Sequence, residues 1–168
     1  MRLMIAAVMV LCAVGLAAAD DKKYTSTEGK FVVQFPANLK VQTDKKEQGG
    51  LLLFITSGED KNAGTGYGVL YTELPPALKK LRPNVILDRA AKAAADKCGG
   101  RTIEAKDIEF GPNRLPGRDL ILEKDGDRVH AKIIVAETTV YVVLVCGKQD
   151  FATSKDATNY IDSFELTR

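Results

Sequence analysis

The chain has 168 residues, with 24 Lys and Arg against 22 Asp and Glu, one histidine, three cysteines and no tryptophan. A net charge of +2 gives it no overall electrostatic reason to seek nucleic acid or an anionic bilayer, and the length suits one domain that can bury a core without staples. The single histidine excludes a histidine-rich zinc or iron centre.

The first nineteen residues, MRLMIAAVMVLCAVGLAAA, carry one positive charge (Arg2), then an unbroken apolar run and a small-residue finish. Ala17 and Ala19 fit the A-x-A cleavage pattern, which predicts a secretory leader cut between Ala19 and Asp20. The apolar run is short for a membrane span and DDKK follows at once; an uncleaved anchor is the alternative. Cys12 is a poor lipid-attachment site, because Leu11 stands where a small residue is needed. The expected product is a secreted or periplasmic domain over residues 20–168, with 23 bases against 22 acids. It keeps Cys98 and Cys146, which would meet an oxidising compartment. A disulfide between them would close a loop of about 49 residues and stabilise by roughly 4 kcal/mol. Two unpaired thiols packed as small hydrophobes are the other reading.

After a polar lead-in, FVVQFP (Phe31 to Pro36) alternates as a strand, and Pro36 ends it because proline cannot donate to a ladder. LKVQT reads as a short strand. LLLFITS (Leu51 to Ser57) and YGVLYTEL (Tyr67 to Leu74) form a second pair, joined by the mobile-looking GEDKNAGTG. PPALKKLRPN is a connector. From Asn84 to Lys97, Ile86, Leu87, Ala90, Ala91 and Ala94 share one helical face, and Gly99-Gly100 ends the helix with a residue able to take positive φ. Strands are expected over Thr102–Phe110, Arg118–Glu123, Arg128–Ala136 and Thr139–Cys146. TVYVVLVC is apolar on both faces, so it belongs at the centre of a sheet. A short helix over Ser154–Ile161 precedes DSFEL. The pattern predicts an α+β domain: an antiparallel sheet flanked by helices.

Asp125-Gly126 is the preferred chemistry of a two-residue type I′ hairpin loop. Pairing outward sets Lys124 opposite Asp127, Glu123 opposite Arg128, Leu122 opposite Val129, Ile121 opposite His130, Leu120 opposite Ala131 and Asp119 opposite Lys132. That register puts the charges on one wet face and makes His130 an exposed strand histidine beside Arg128 and Lys132. Two flanking cations are not a triad, and no G-x-S-x-G elbow surrounds any serine. No catalytic residue is assigned. Glu59 with Asp60, and Asp119 with Glu123, are carboxylate pairs of a kind any acid-rich chain offers. GTGYG (Gly64 to Gly68) lacks the following helix a phosphate loop needs, so it reads as a hairpin loop. LKKLRP is the densest basic cluster; Lys79, Lys80 and Arg82 are candidates for touching an acidic partner. The cysteines have no C-x-x-C spacing for thiol-redox work, and no cofactor- or metal-binding motif occurs.

The order of elements resembles the PsbP-like (Mog-type) superfamily, in its exported DcrB-like and LpqN-like branch. The likeness rests on a phenylalanine-alternating first strand ending in FP, one helix, a hairpin begun by LPGRDL, the strand VYVVLVCG, and a closing helix running into YIDSFEL. It covers about Tyr24 to Leu166 and implies an α/β/α sandwich around an antiparallel sheet. Relatives that bind rather than catalyse imply a binding role, and no site residue transfers.

The expectation is therefore a small exported, non-enzymatic module that binds an unknown envelope or extracellular protein. Its first surface to probe is Gly58–Gly66 with the connector Pro75–Pro83, because loops on a rigid scaffold carry binding. The alternative is a hydrolase or isomerase using carboxylates in a cleft between sheet and helix. A third reading, a carrier of an apolar ligand under the alanine-faced helix, would need an internal cavity there.

Overall fold

A computed structural model describes residues 22–167; the leader and its cut site lie outside the described residues. The chain opens with an element that the polar lead-in concealed: β1 (Lys22–Ser26) pairs antiparallel with β2 (Phe31–Phe35), and β10 (Glu165–Leu166) completes a three-stranded sheet on the other side of β2. The larger sheet takes β3 (Gln42–Gln48), β4 (Leu51–Asp60), β5 (Thr65–Glu73), β6 (Arg101–Phe110), β7 (Leu115–Lys124), β8 (Asp127–Ala136) and β9 (Thr139–Lys148). Its order is β3-β4-β5-β9-β8-β7-β6, with every neighbouring pair antiparallel. The central place expected for TVYVVLVC is the one β9 occupies, with Val140, Tyr141, Val143 and Val145 buried.

Two cores lie on opposite faces of this sheet. On one, α1 (Pro83–Cys98) lays Ile86 and Leu87 against Leu120, Ala131, Ile133 and Val140, as its apolar stripe dictates. Its end is the αL glycine cap anticipated, Gly99 at φ 61°. On the other face, β2 inserts Phe31, Val33 and Phe35, each fully buried, among Tyr67, Tyr71, Tyr141 and Phe164. Two short helices, α2 (Gln149–Ala152) and α3 (Lys155–Asp162), help close that side; α2 carries no apolar period and was invisible to pattern reading. Ser154 caps α3 by accepting from the Ala157 N–H. The architecture is thus a sheet-dominated α+β fold. The flanking by helices expected of an α/β/α sandwich is met in part: α1 covers one face, and on the other α2 and α3 share the layer with a small sheet, because the alternating β2 presents a flat apolar ribbon that pairs with β1.

Three local expectations change. LKVQT is not itself a strand: Leu39 turns inward beneath Gly58, and the ladder starts at Gln42 and runs through DKKEQ. That strand is exposed along its length, and its lysines guard a sheet edge against further pairing. GEDKNAGTG is not an irregular loop either. Pairing continues to Asp60 and Thr65, and the Asp60 carboxylate accepts from the Asn62 and Ala63 N–H groups at 3.0 and 3.1 Å, fixing a four-residue turn. The disulfide is absent. Cys98 at the end of α1 and Cys146 on β9 are free thiols on the same side of the sheet.

Both thiols are half-buried, and burial raises both pKa values. At Cys98, Lys124 and Lys97 oppose this; at Cys146 the Gly66 N–H does, while Cys98 adds its own charge to the upward push. Raised thiol pKa values mean a smaller thiolate fraction at neutral pH, and the thiolate is the nucleophile. Iodoacetamide at pH 7.5 should therefore label both cysteines more slowly in the folded protein than in urea, where mass spectrometry should find Cys98 and Cys146 both modified without reductant. Recovery of an unlabelled bridged peptide would contradict the free pair.

Candidate binding cleft

The β7–β8 hairpin has the predicted register at all six positions, with Asp125 at φ 51° and Gly126 at φ 87° making the turn. Its charges do more than face water. Of the three charge-matched pairs, Glu123 meets Arg128 at 3.2 Å and also holds Arg101 at 2.9 Å. Lys132 instead reaches Asp162 of α3 at 2.8 Å, and Lys124 extends toward Gly99 at the C-terminal end of α1, where the helix carries partial negative charge. On the α1 face, which Lys124 shares, Arg118 ties Asp88 of α1 to Asp107 of β6. The ribbon is covered by helices on both sides, so its polar side chains join elements.

His130 is corrected in the same way. Its side chain is only 14% exposed, and Nε2 lies 2.8 Å from Asp119 Oδ1, the diagonal neighbour on that face. Burial pushes the Asp119 carboxyl up, but the hydrogen bond and charge of His130 outweigh it and the net shift is down. The other ring nitrogen, Nδ1, is buried without a hydrogen-bond partner among the described residues. An acid and an imidazole are therefore joined, with no hydroxyl or thiol on Nδ1 to serve as nucleophile.

The remaining sequence candidates do not converge. Lys79 is spent on Glu73 at 2.7 Å, while Lys80 and Arg82 stand exposed in the connector. That connector follows β5, and the Gly58–Gly66 segment precedes and opens it. The two lie about 25–30 Å apart at the strand's rise per residue, and form no common surface. Beside the β4–β5 turn is a polar hollow of about 530 Å³ lined by Asn38, Lys40, Glu59 and Asp60. Asp60 is occupied there by the turn N–H groups and by the Asn38 amide at 3.1 Å, and Glu59, its strand neighbour, points to the other face.

A second hollow has more distinctive chemistry. It is a half-open cleft of about 400 Å³ between β1 with its following turn and the β3–β4 hairpin. Its floor follows from register alone. Lys45, Phe54, Tyr71 and Tyr141 are successive cross-strand partners on β3, β4, β5 and β9, so their side chains form one row on one face. Phe54 and Tyr71 stack at 4.7 Å and 7°, and Tyr71 follows onto Tyr141 at 6.0 Å and 27°. The inner end of the row is fixed by the Tyr141 hydroxyl, which donates to the Gly29 carbonyl at 3.0 Å. The turn approaches so closely that a Cβ on Gly29 would stand 2.7 Å from the Phe31 ring and 2.8 Å from that of Tyr71. At the outer end the Lys45 ammonium sits 4.6 Å above the Phe54 ring centre and 3.0 Å from the Glu28 carboxylate. Tyr24, Asp44 and several threonine hydroxyls complete the walls. The Tyr71 pKa is raised, first by burial and then by the negative charge of Glu28.

None of these cleft residues stood out in the sequence. The one available signal is an aromatic directly opposite a lysine across the Gly49-Gly50 turn, and recognising it requires knowing that DKKEQ is a strand.

No protein-family model matches the chain, and no curated protein does. Among solved structures it is similar to cyanobacterial PsbP (CyanoP) from Synechocystis sp. PCC 6803, determined in solution. The two share a TM-score of 0.63 and 15% identity over 90% of this chain and 95% of that one. At that identity the likeness establishes a PsbP-like fold and nothing finer.

Proposed function

We propose that the chain is an exported, non-enzymatic binding module, akin in role to the DcrB-like and LpqN-like branch, and that it engages a partner through the cleft between β1 and the β3–β4 hairpin. The carrying observation is the Lys45–Phe54–Tyr71 row, where the buried aromatic core reaches the surface beside an acid and a base. Phe54 and Tyr24 are partly exposed, and rings backed by a rigid stack bind at low entropic cost. The apolar leader, with its small-residue finish, supports export.

The carboxylate-enzyme alternative has less support. General acids need raised carboxyl pKa values, whereas the carboxyls of Glu73 and Glu123 are moved down by Lys79 and by Arg101 with Arg128, and that of Asp119, against its burial, by the hydrogen bond with His130. Each is engaged by a contact that joins structural elements, Glu73 with Lys79, Glu123 with Arg101, and Asp119 with the His130 ring.

The test is photo-crosslinking in the producing cells from a benzoylphenylalanine at Thr43, on the cleft, beside a control at Asp125 in the distant β7–β8 turn. A discrete adduct from Thr43 alone, weakened by Glu28→Arg, is expected. Equal adducts from both positions, or none from Thr43, would overturn the cleft as the binding surface.

A further inference from the structure

We infer that this cleft is a subsite for an organic ammonium group, the head of an alkylamine or a partner's lysine, and that Lys45 is its internal placeholder. The inference rests on the cleft being the binding surface and specifies what it accepts.

The argument begins with the charges. Glu28 is the acid that meets Lys45, the base among the lining residues, while Asp44 pairs opposite Ile55 and accepts from the Lys45 N–H at 2.8 Å. Removing the Lys45 ammonium therefore leaves the Glu28 carboxylate unneutralised beside Tyr24, Phe54 and Tyr71. Ring faces and carboxylates attract the same thing, a desolvated cation with an apolar stem. Lys45 already demonstrates the geometry, with its ammonium at ion-pair distance from Glu28 and over the Phe54 ring at once. The occupant is held lightly. Its side chain remains 58% exposed and that of Glu28 60% exposed, which places the contact among weak surface pairs. The aromatic platform beneath is rigid by contrast, since Phe54 rests flat on Tyr71 and Tyr71 is wedged between Phe31, Tyr141 and the turn at Gly29. A loosely seated side chain on a firmly built floor is an exchangeable ligand. An incoming ammonium would displace Lys45 into solvent, which needs only side-chain rotation. Because the competing group is tethered, its effective concentration is high, and wild-type affinity for a free amine is correspondingly low.

The experiment is an NMR titration of the purified protein with Nα-acetyl-lysinamide and, in parallel, with its neutral Nα,Nε-diacetyl counterpart. Shifts should map to Glu28, Phe54 and Tyr71 for the amine only. Lys45→Ala should tighten its Kd by about three- to tenfold, since the tethered rival is gone. Glu28→Gln in the Lys45→Ala background should reverse that gain, and the same spectra report whether each variant is folded. Equal shifts from the neutral analogue, an unchanged Kd in Lys45→Ala, or no cleft shifts with either compound would each overturn the inference. A crosslink from Thr43 in cells would still stand in those cases, so failure of the ammonium assignment is separable from failure of the cleft itself.

Discussion

Phe31→Ala should cost about 3–5 kcal/mol, the range for truncating a fully buried phenylalanine. Phe31 has no solvent exposure, and its ring lies 5.5 to 6.5 Å from those of Tyr24, Tyr71, Tyr141 and Phe164. These neighbours come from β1, β5, β9 and the chain's closing segment, so the cavity would open where the two sheets meet. Relaxation is restricted on every side. The Tyr141 hydroxyl is tied to Gly29, and Tyr71 is trapped between Phe54 and Tyr141. The remaining rings therefore cannot close around the void, which places the cost high in its range. Set against a typical domain stability of roughly 5–15 kcal/mol, this is enough to leave the variant marginal. Leu52→Ala is the control. That side chain is 49% exposed, and its truncation should stay within about 0.5 kcal/mol. Urea unfolding followed by tyrosine fluorescence measures both, and a Phe31→Ala midpoint close to that of Leu52→Ala would refute the placement of Phe31 at the junction.

That same junction marks where the sequence was readable. Alternation in FVVQF announced a strand with one buried face, the alanine stripe announced α1, and Asp125-Gly126 fixed a register correct at six pairs. Each is a local signal with a single cause. What lay on the far side of each face was not local. β1 and β3 are built of polar residues and owe their conformation to the backbone groups of a neighbour, so no side-chain period reveals them. The charged ribbon was paired correctly yet misjudged in exposure, because its covering helices come from residues 83–98 and 149–162. The imidazole of His130 is sheltered for that reason, and Lys132 finds Asp162 thirty residues away. The cleft was least visible of all. Its row of Lys45, Phe54, Tyr71 and Tyr141 is assembled by three successive strand registers, one of which involves an edge strand the pattern missed.

Glycine shows how far such reading extends, and it yields the second large effect. Gly99 and Gly100 look interchangeable as helix terminators, but their backbones make different demands. Gly99 sits at φ 61°, the αL position, where an L side chain costs roughly 1–2 kcal/mol. Gly100 has no such conformation to justify it. Its demand is space: a Cβ there would fall 2.6 Å from the Glu123 carbonyl oxygen and 3.1 Å from its carbon. Those are backbone atoms of β7, paired to β6 from Arg101 onward, so no side-chain rotation relieves the clash. Gly100→Ala must therefore push the start of β6 away from the end of β7, breaking the Arg101–Glu123 contact at 2.9 Å. We expect a loss of about 2–3 kcal/mol, the upper part of the overpacking range, and larger than that of Gly99→Ala. Denaturant midpoints rank the two variants, and amide exchange should quicken at residues 101–104 and 121–124 in Gly100→Ala while the β4–β5 hairpin keeps its protection. If Gly99→Ala proves the more damaging, the terminator's conformation outweighs the close approach, and the helix-to-strand joint is looser than its backbone contact implies.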